Sequence, residues 1–121
     1  AKKREYNFNY EASKAYYSES DLLKEAGKQM RTVWDIPNNK SKLEMQFGSH
    51  PTQKPIRVSE RILAISGIKN GKLLIPFVGS GTEMVAGINY GMDVYGYEIA
   101  PEYFNIAKQR IEFAVQQPKL L

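Results

Sequence analysis

The stretch Leu73-Leu74-Ile75-Pro76-Phe77-Val78-Gly79-Ser80-Gly81-Thr82 (LLIPFVGSGT, 73–82) decides the fold. Its opening run, Leu73–Pro76, is short and wholly apolar, as are strands that lie inside a parallel sheet with both faces buried. The run leads straight into a turn that carries two glycines. Gly79 and Gly81 have no Cβ, so a ligand can lie against the backbone there, at the C-terminal edge of the sheet where open α/β folds bind ligands. Downstream, Met84, Val85 and Ile88 keep helical spacing from about Thr82 to Tyr90, and Gly91 supplies the stop. Val94–Ile99 (VYGYEI) reads as a second strand. Pro101 opens a final helix with Phe104, Ala107, Ile111 and Val115 on one face. Upstream, Pro55 sits in the opening turn of a helix that carries Ile56, Ile62, Leu63 and Ile65 and stops at Gly67, and Lys69-Asn70-Gly71 is a turn. This order makes a βαβ unit with flanking helices, and the fold class is α/β, a partial sheet with helices on both faces.

The chain divides into two regions, 1–49 and 50–121. In the first, Tyr6, Phe8 and Tyr10 alternate with polar residues, a strand pattern, and Ser20 is placed to cap a helix over Asp21–Lys28. Asp35–Lys42, with Pro37 and Asn38-Asn39, is a loop. Trp34 and Phe47 are read as packing residues rather than a base-stacking platform. The Tyr and Lys residues of 2–17, and Lys24, Lys28 and Arg31, suit either phosphate contacts or an ordinary polar surface.

With 121 residues, 42% of them hydrophobic and 25% charged, the chain fits one globular domain or a piece of one. It has no cysteine, which excludes disulfides, thiolate metal sites and thiol nucleophiles. No apolar run approaches the roughly 18 residues of a membrane span, and the N-terminus lacks the apolar core of a signal peptide. The charge of +4 permits an approach to a phosphate backbone without requiring one, since the excess is spread evenly along the chain.

Three constellations bear on chemistry. The glycine turn lacks the third glycine of a dinucleotide fingerprint, because Met84 stands in its place, and no Gly-Lys-Ser/Thr follows to make a phosphate loop. Taken alone, such a turn is as often a tight connection as a ligand site. Glu98, at the end of the next strand, is placed either to accept hydrogen bonds from a ribose diol or to be a solvated strand end. A ribose-binding carboxylate at the mouth of the sheet should be removable with little loss of stability. The third constellation is His50-Pro51-Thr52-Gln53-Lys54-Pro55 (HPTQKP), a stiff loop whose prolines fix φ and whose side chains offer donors and acceptors. His50 has no second ligand at metal-binding spacing.

In this order HPTQKP, IPFVGSGT (75–82) and GYEI (96–99), together with the upstream VWDIP (33–37), resemble the C-terminal half of the DNA amino-methyltransferases. The likeness is to the permuted class, in which the catalytic tetrapeptide precedes the cofactor motifs, and it covers roughly residues 30–115. It implies a partial Rossmann-like methyltransferase sheet with an S-adenosylmethionine pocket. Phe77, Gly79, Ser80, Gly81 and Thr82 would lie beside the methionine and ribose, Glu98 on the ribose hydroxyls, Thr52 and Lys54 near the carboxylate end, and Ile99 against the adenine. One departure stands out. The family usually has an acidic residue, which commonly helps hold the methionine amino group, where this sequence has Ile75.

The resemblance also implies a tetrapeptide of Asp, Asn or Ser, two prolines and an aromatic that holds the target amine. The prolines at 37, 51, 55, 76, 101 and 118 are never adjacent, so no catalytic residue is assigned here. An N-terminal half carrying that motif, as a separate chain or a preceding region, is therefore expected. Residues 1–49 would be the end of the target-recognition region with its connecting loop, and 50–121 the cofactor-binding portion. The implied function is site-specific methylation of duplex DNA, at adenine N6 ahead of cytosine N4, in a prokaryotic or phage cytoplasm and without a metal. The rival reading is a non-catalytic cofactor- or DNA-binding subunit or degenerate relative; an RNA or small-molecule methyltransferase is disfavoured by HPTQKP and VWDIP.

Overall fold

The computed structural model describes residues 5–15, 27–38 and 40–118. In chain order the elements are α1 (Tyr10–Ala15), α2 (Lys42–Met45), α3 (Ile56–Ser66), β1 (Lys72–Ile75), α4 (Thr82–Tyr90), β2 (Asp93–Gly96) and α5 (Pro101–Gln116). β1 and β2 pair in parallel, in the register Lys72↔Asp93 through Ile75↔Gly96. Strands that run parallel need a crossover, and α4 supplies it.

Alternation along both strands sends Leu73, Ile75, Val94 and Gly96 toward α4, while Leu74 and Tyr95 point away and stay 62% and 51% exposed. The core gathers Ile75, Val78, Met84 and Ala107, with Leu73, Val94 and Ile111 against it. The α/β class and the parallel pair agree with the sequence. Cover on both faces does not: among the described residues the face of Leu74 and Tyr95 carries no helix. Since parallel sheets are ordinarily covered on both sides, this face is built like a sheet interior but open. β2 also ends earlier than VYGYEI predicts. Beyond Gly96 the pairing continues only as single bonds, Tyr97 N–H to the Ile75 carbonyl (3.2 Å) and Val78 N–H to the Tyr97 carbonyl (2.9 Å).

Helix α4 begins and ends where glycines allow it. Gly81 and Gly91 take left-handed conformations, and the Gly91 N–H bonds back to the Gly87 and Ile88 carbonyls. Gly87 lets this helix press on the sheet: a Cβ there would lie 2.6 Å from Val94 Cγ1 and 2.8 Å from Leu73 Cδ2. The close approach that a dinucleotide fingerprint assigns to its third glycine is thus made one turn later, past Met84.

Helix α5 is rotated from its expected face. Ala107, Arg110 and Ala114 are buried, whereas Phe104 and Val115 are 52% and 62% exposed. On α3, Leu63 and Arg61 are buried and Ile62 is exposed. The Arg61 guanidinium lies 5.0 Å from the Trp34 ring. Phe47 packs instead on Phe113, edge to face at 5.9 Å, so the two aromatics predicted to pack do so with separate partners.

Tyr6, Phe8 and Tyr10 do not form a strand. Residues 5–9 form no regular element, Tyr10 starts α1, and Tyr6 is 87% exposed. The polar residues between them do the docking. Asn9 Nδ2 donates to the carbonyls of Ala64 (3.1 Å) and Gly67 (2.9 Å), and Asn7 Nδ2 to those of Ser66 and Gly67. These are carbonyls at the end of α3, where a helix leaves acceptors without intrahelical partners. Of the helix expected over Asp21–Lys28, residues 21–26 lie outside the described residues, as does its cap Ser20, and Gly27-Lys28 form a turn.

Candidate functional site

The glycine turn is held from three sides. Gly79 and Gly81 adopt φ of 57° and 84°, and the Gly81 N–H closes the turn onto the Val78 carbonyl at 2.9 Å. The turn rests on α5, where a Cβ on Gly81 would come within 3.0 Å of Ala107 Cβ. Ser80 and Thr82 are buried at its base, and one nitrogen of the Arg110 guanidinium donates to the Ser80 carbonyl (2.8 Å), the Ser80 hydroxyl (3.1 Å) and the Thr82 hydroxyl (3.0 Å).

Glu98 forms the facing strap. Its Oε1 accepts from the Ala100 N–H at 2.9 Å and its Oε2 from the Gly79 N–H at 2.7 Å. The Ala100 and Gly79 N–H groups hold the carboxyl below the usual carboxylate range against a smaller opposing effect of burial. Each oxygen keeps a lone pair for a further donor.

HPTQKP makes the other wall, and its fixed point is Gln53. Only 5% exposed, Gln53 accepts from the Ser80 hydroxyl at 2.7 Å and from the His50 N–H at 3.4 Å, and donates to the Glu44 carbonyl at 3.3 Å. The Thr52 hydroxyl and N–H approach His50 Nδ1 at 3.1 and 3.2 Å, and the His50 ring packs on Tyr103 with centroids 4.1 Å apart. Lys54 Nζ donates to the Thr52 carbonyl at the rim.

Glu44 steadies this wall from below. Its side chain closes a capping box with Ser41 and also accepts from the Ile56 N–H at 2.8 Å, at the start of α3. Burial pushes its carboxyl up, but the N–H groups of Ser41 and Ile56 and the charge of Arg110 bring it below the ordinary range. A carboxylate with a folded value below its unfolded one contributes stability at neutral pH and loses it as pH falls through the folded value. Glu44→Gln, whose one oxygen can serve only one of the Ser41 and Ile56 N–H groups, is therefore expected to cost about 1–2 kcal/mol at pH 7. That difference from wild type should shrink in urea titrations at progressively lower pH, and a difference constant from pH 7 into the acid limb would refute it.

Together these parts enclose a cleft of about 220 Å³, lined by His50, Thr52, Gln53, Lys54, Phe77, Val78, Gly79, Ser80, Thr82, Glu83 and Glu98. Seven of the residues singled out in the sequence meet there: Thr52, Lys54, Phe77, Gly79, Ser80, Thr82 and Glu98. Gly81 lies behind the wall against α5, and Ile99 stands outside at 99% exposure. Ile75 is 8% exposed in the core and does not face the cleft. Gln53 and Arg110 were missed as individuals. For Arg110 the sequence did hold a signal, a basic residue one turn from Ala107 on the face that packs inward.

No group of three or more His, Cys, Asp or Glu side chains suited to a metal occurs among the described residues. No helix among them is long and apolar enough to cross a membrane.

A strand, a glycine turn over a helix N-terminus and a carboxylate at the next strand's end are the parts of a Rossmann-like methyltransferase sheet. PvuII DNA methyltransferase (cytosine-N4-specific) superposes on 62% of this chain and 29% of its own with a TM-score of 0.55 at 20% identity, a likeness of fold. The DNA methylase family profile matches residues 1–109, and the chain belongs to that family. Type II methyltransferase M2.DpnII of Streptococcus pneumoniae is 42% identical over 99 residues, 80% of this chain and 37% of that protein. DNA adenine methyltransferase YhdJ of Escherichia coli K12 is 34% identical over 82 residues, 68% of this chain and 28% of that protein. The chain thus spans about a third of the length of these relatives.

Proposed function

We propose that this chain is the S-adenosylmethionine-binding part of a site-specific DNA methyltransferase of the permuted class, and that the whole protein methylates adenine N6 in duplex DNA as part of a restriction-modification system in a bacterial or phage cytoplasm. The observation that carries the reading is the single cleft in which the glycine turn, the HPTQKP loop and the Glu98 carboxylate meet. The name of the YhdJ relative favours adenine.

S-adenosylmethionine, when bound, supplies a methyl group on a sulfonium, already a good leaving group. What remains for the protein is to hold and aim it. Glu98 takes the ribose hydroxyls with the lone pairs that Gly79 and Ala100 leave over. Thr52 and Lys54 sit at the carboxylate end. Phe77, 90% exposed, lies beside the methionine and ribose, and Ile99, 99% exposed, offers apolar surface to the adenine ring. With Ile75 where the family usually has an acidic residue, the methionine amino group lacks that carboxylate.

The target base leaves the duplex stack to reach the methyl group, as bases modified in this way do. Its amine is held by residues outside this chain, in an N-terminal half that also covers the open sheet face of Leu74 and Tyr95, and residues 1–49 form the end of the target-recognition region. The absent Pro-Pro pair leads to a direct expectation. The full-length protein should transfer labelled methyl from S-adenosylmethionine to duplex DNA and yield N6-methyladenine, while residues 1–121 alone transfer none. Transfer by the isolated chain above a no-protein control would sink this division of labour. Cofactor binding by the full-length protein with no transfer to any DNA would favour the rival non-catalytic subunit.

A further inference from the structure

Arg110 does not line the cleft, yet it is buried on α5 and donates to both residues at the base of the glycine turn. Its hydrogen bonds continue. The Ser80 hydroxyl accepts from Arg110 at 3.1 Å and donates to Gln53 Oε1 at 2.7 Å, and Gln53 in turn holds the loop through the Glu44 carbonyl and the His50 N–H. From Arg110 through Ser80 and Gln53 to the Glu44 carbonyl the donors all point the same way, so each bond polarises the next, while the His50 N–H enters at Gln53 Oε1 from the loop side. Burial lowers the Arg110 pKa, with the fields of Glu44 and Glu83 opposing, and the one guanidinium nitrogen that makes all three bonds lies one bond farther from the helix than a lysine ammonium extends.

We propose that Arg110, Ser80 and Gln53 form a buried relay that sets the spacing between the glycine turn and the HPTQKP loop, making Arg110 a positioning residue for whatever the cleft holds. The two walls come from distant parts of the chain, and Ser80–Gln53 is the hydrogen bond that joins them directly. Without Arg110, the Ser80 carbonyl and hydroxyl lose the donor that fixes their direction. The Ser80 hydroxyl then turns, and the loop is released with it. The expected effect on ligand affinity rests on the reading of the cleft as an S-adenosylmethionine site; the coupling of the two walls does not.

The test uses the full-length protein with Arg110→Lys, Arg110→Met, Gln53→Leu, the double variant Arg110→Met/Gln53→Leu, and Ile88→Ala as a core variant at the far end of α4. S-adenosylhomocysteine affinity is measured by calorimetry, and amide exchange of residues 50–53 and 79–82 without ligand. Each Arg110 or Gln53 single variant should weaken binding about 10-fold, with the double no weaker than the worse single, because coupled groups are not additive. Arg110→Lys, which keeps the charge, should not restore binding. Its exchange should quicken in both segments together, whereas Ile88→Ala lowers the melting temperature and leaves affinity and both segments unchanged. Multiplying losses in the double variant, or quickened exchange in 79–82 with 50–53 untouched, would overturn the relay. If the wild type does not bind S-adenosylhomocysteine, the cofactor reading fails, and the exchange data alone then decide on the relay.

Discussion

Glu98→Ala is expected to weaken S-adenosylhomocysteine binding about 10- to 100-fold, the loss of charge-assisted hydrogen bonds to two ribose hydroxyls, and to reduce the stability of the unliganded protein as well. The second effect departs from what a carboxylate at the mouth of a sheet suggests. Both Glu98 oxygens already accept backbone N–H groups, from Gly79 and Ala100, so the residue ties the glycine turn to the N-terminus of α5 before any ligand arrives. Glu98→Gln is expected to fall between, because its one oxygen can serve only one of those N–H groups and its amide nitrogen would face the other as a second donor. Since the carboxyl is held below the usual range, the wild-type turn should stay closed at neutral pH and loosen only as acid protonates Glu98. Calorimetry with and without a preceding melting curve separates the two effects. An unchanged dissociation constant for Glu98→Ala would mean that the carboxylate serves the turn alone.

The largest loss of stability is expected at Gly96. Its inward face meets the Val78 side chain, and a Cβ there would also lie 2.8 Å from the Ile75 carbonyl oxygen and 3.1 Å from Met84 Sδ. A carbonyl of the paired strand cannot swing aside as a side-chain end can. Gly96→Ala should therefore cost about 1–3 kcal/mol, and Gly96→Val about 3 kcal/mol or more, by the usual penalty for overpacking. That is a large part of the stability of an ordinary domain. Urea midpoints of the full-length protein should fall in the order wild type, Ala, Val. A valine variant with the wild-type midpoint would show that the strand end is looser than its contacts imply.

How far the sequence could be read depended on whether a local rule or a neighbouring element fixed the structure. Helix α4 was legible to its ends because Gly81 and Gly91 fix both caps through their own backbone conformations. The apolar face of α5 misled for a packing reason. Only the small Ala107 fits where the helix meets Gly81, and the oxygens of Ser80 and Thr82 draw Arg110 inward one turn on, so the large side chains Phe104 and Val115 were turned outward. At Tyr6–Tyr10 the alternation was real but its sense was inverted, since the end of α3 asks for amide donors and takes Asn7 and Asn9 rather than the aromatics. For the site, the motifs located both walls. No periodicity could show that Gln53 and Arg110, far apart in the chain, meet across Ser80, because a buried polar contact leaves no repeating pattern.

Trp34 is the single indole in the chain, and its Nε1 donates to the Arg31 carbonyl at 2.7 Å while its ring faces the Arg61 guanidinium of α3. It lies apart from the cleft, on the segment that precedes HPTQKP. Its fluorescence therefore reports on the seating of that segment against α3 rather than on ligand occupancy. Within these 121 residues, emission at the indole wavelength offers an optical signal for one docking event, unmixed with any other.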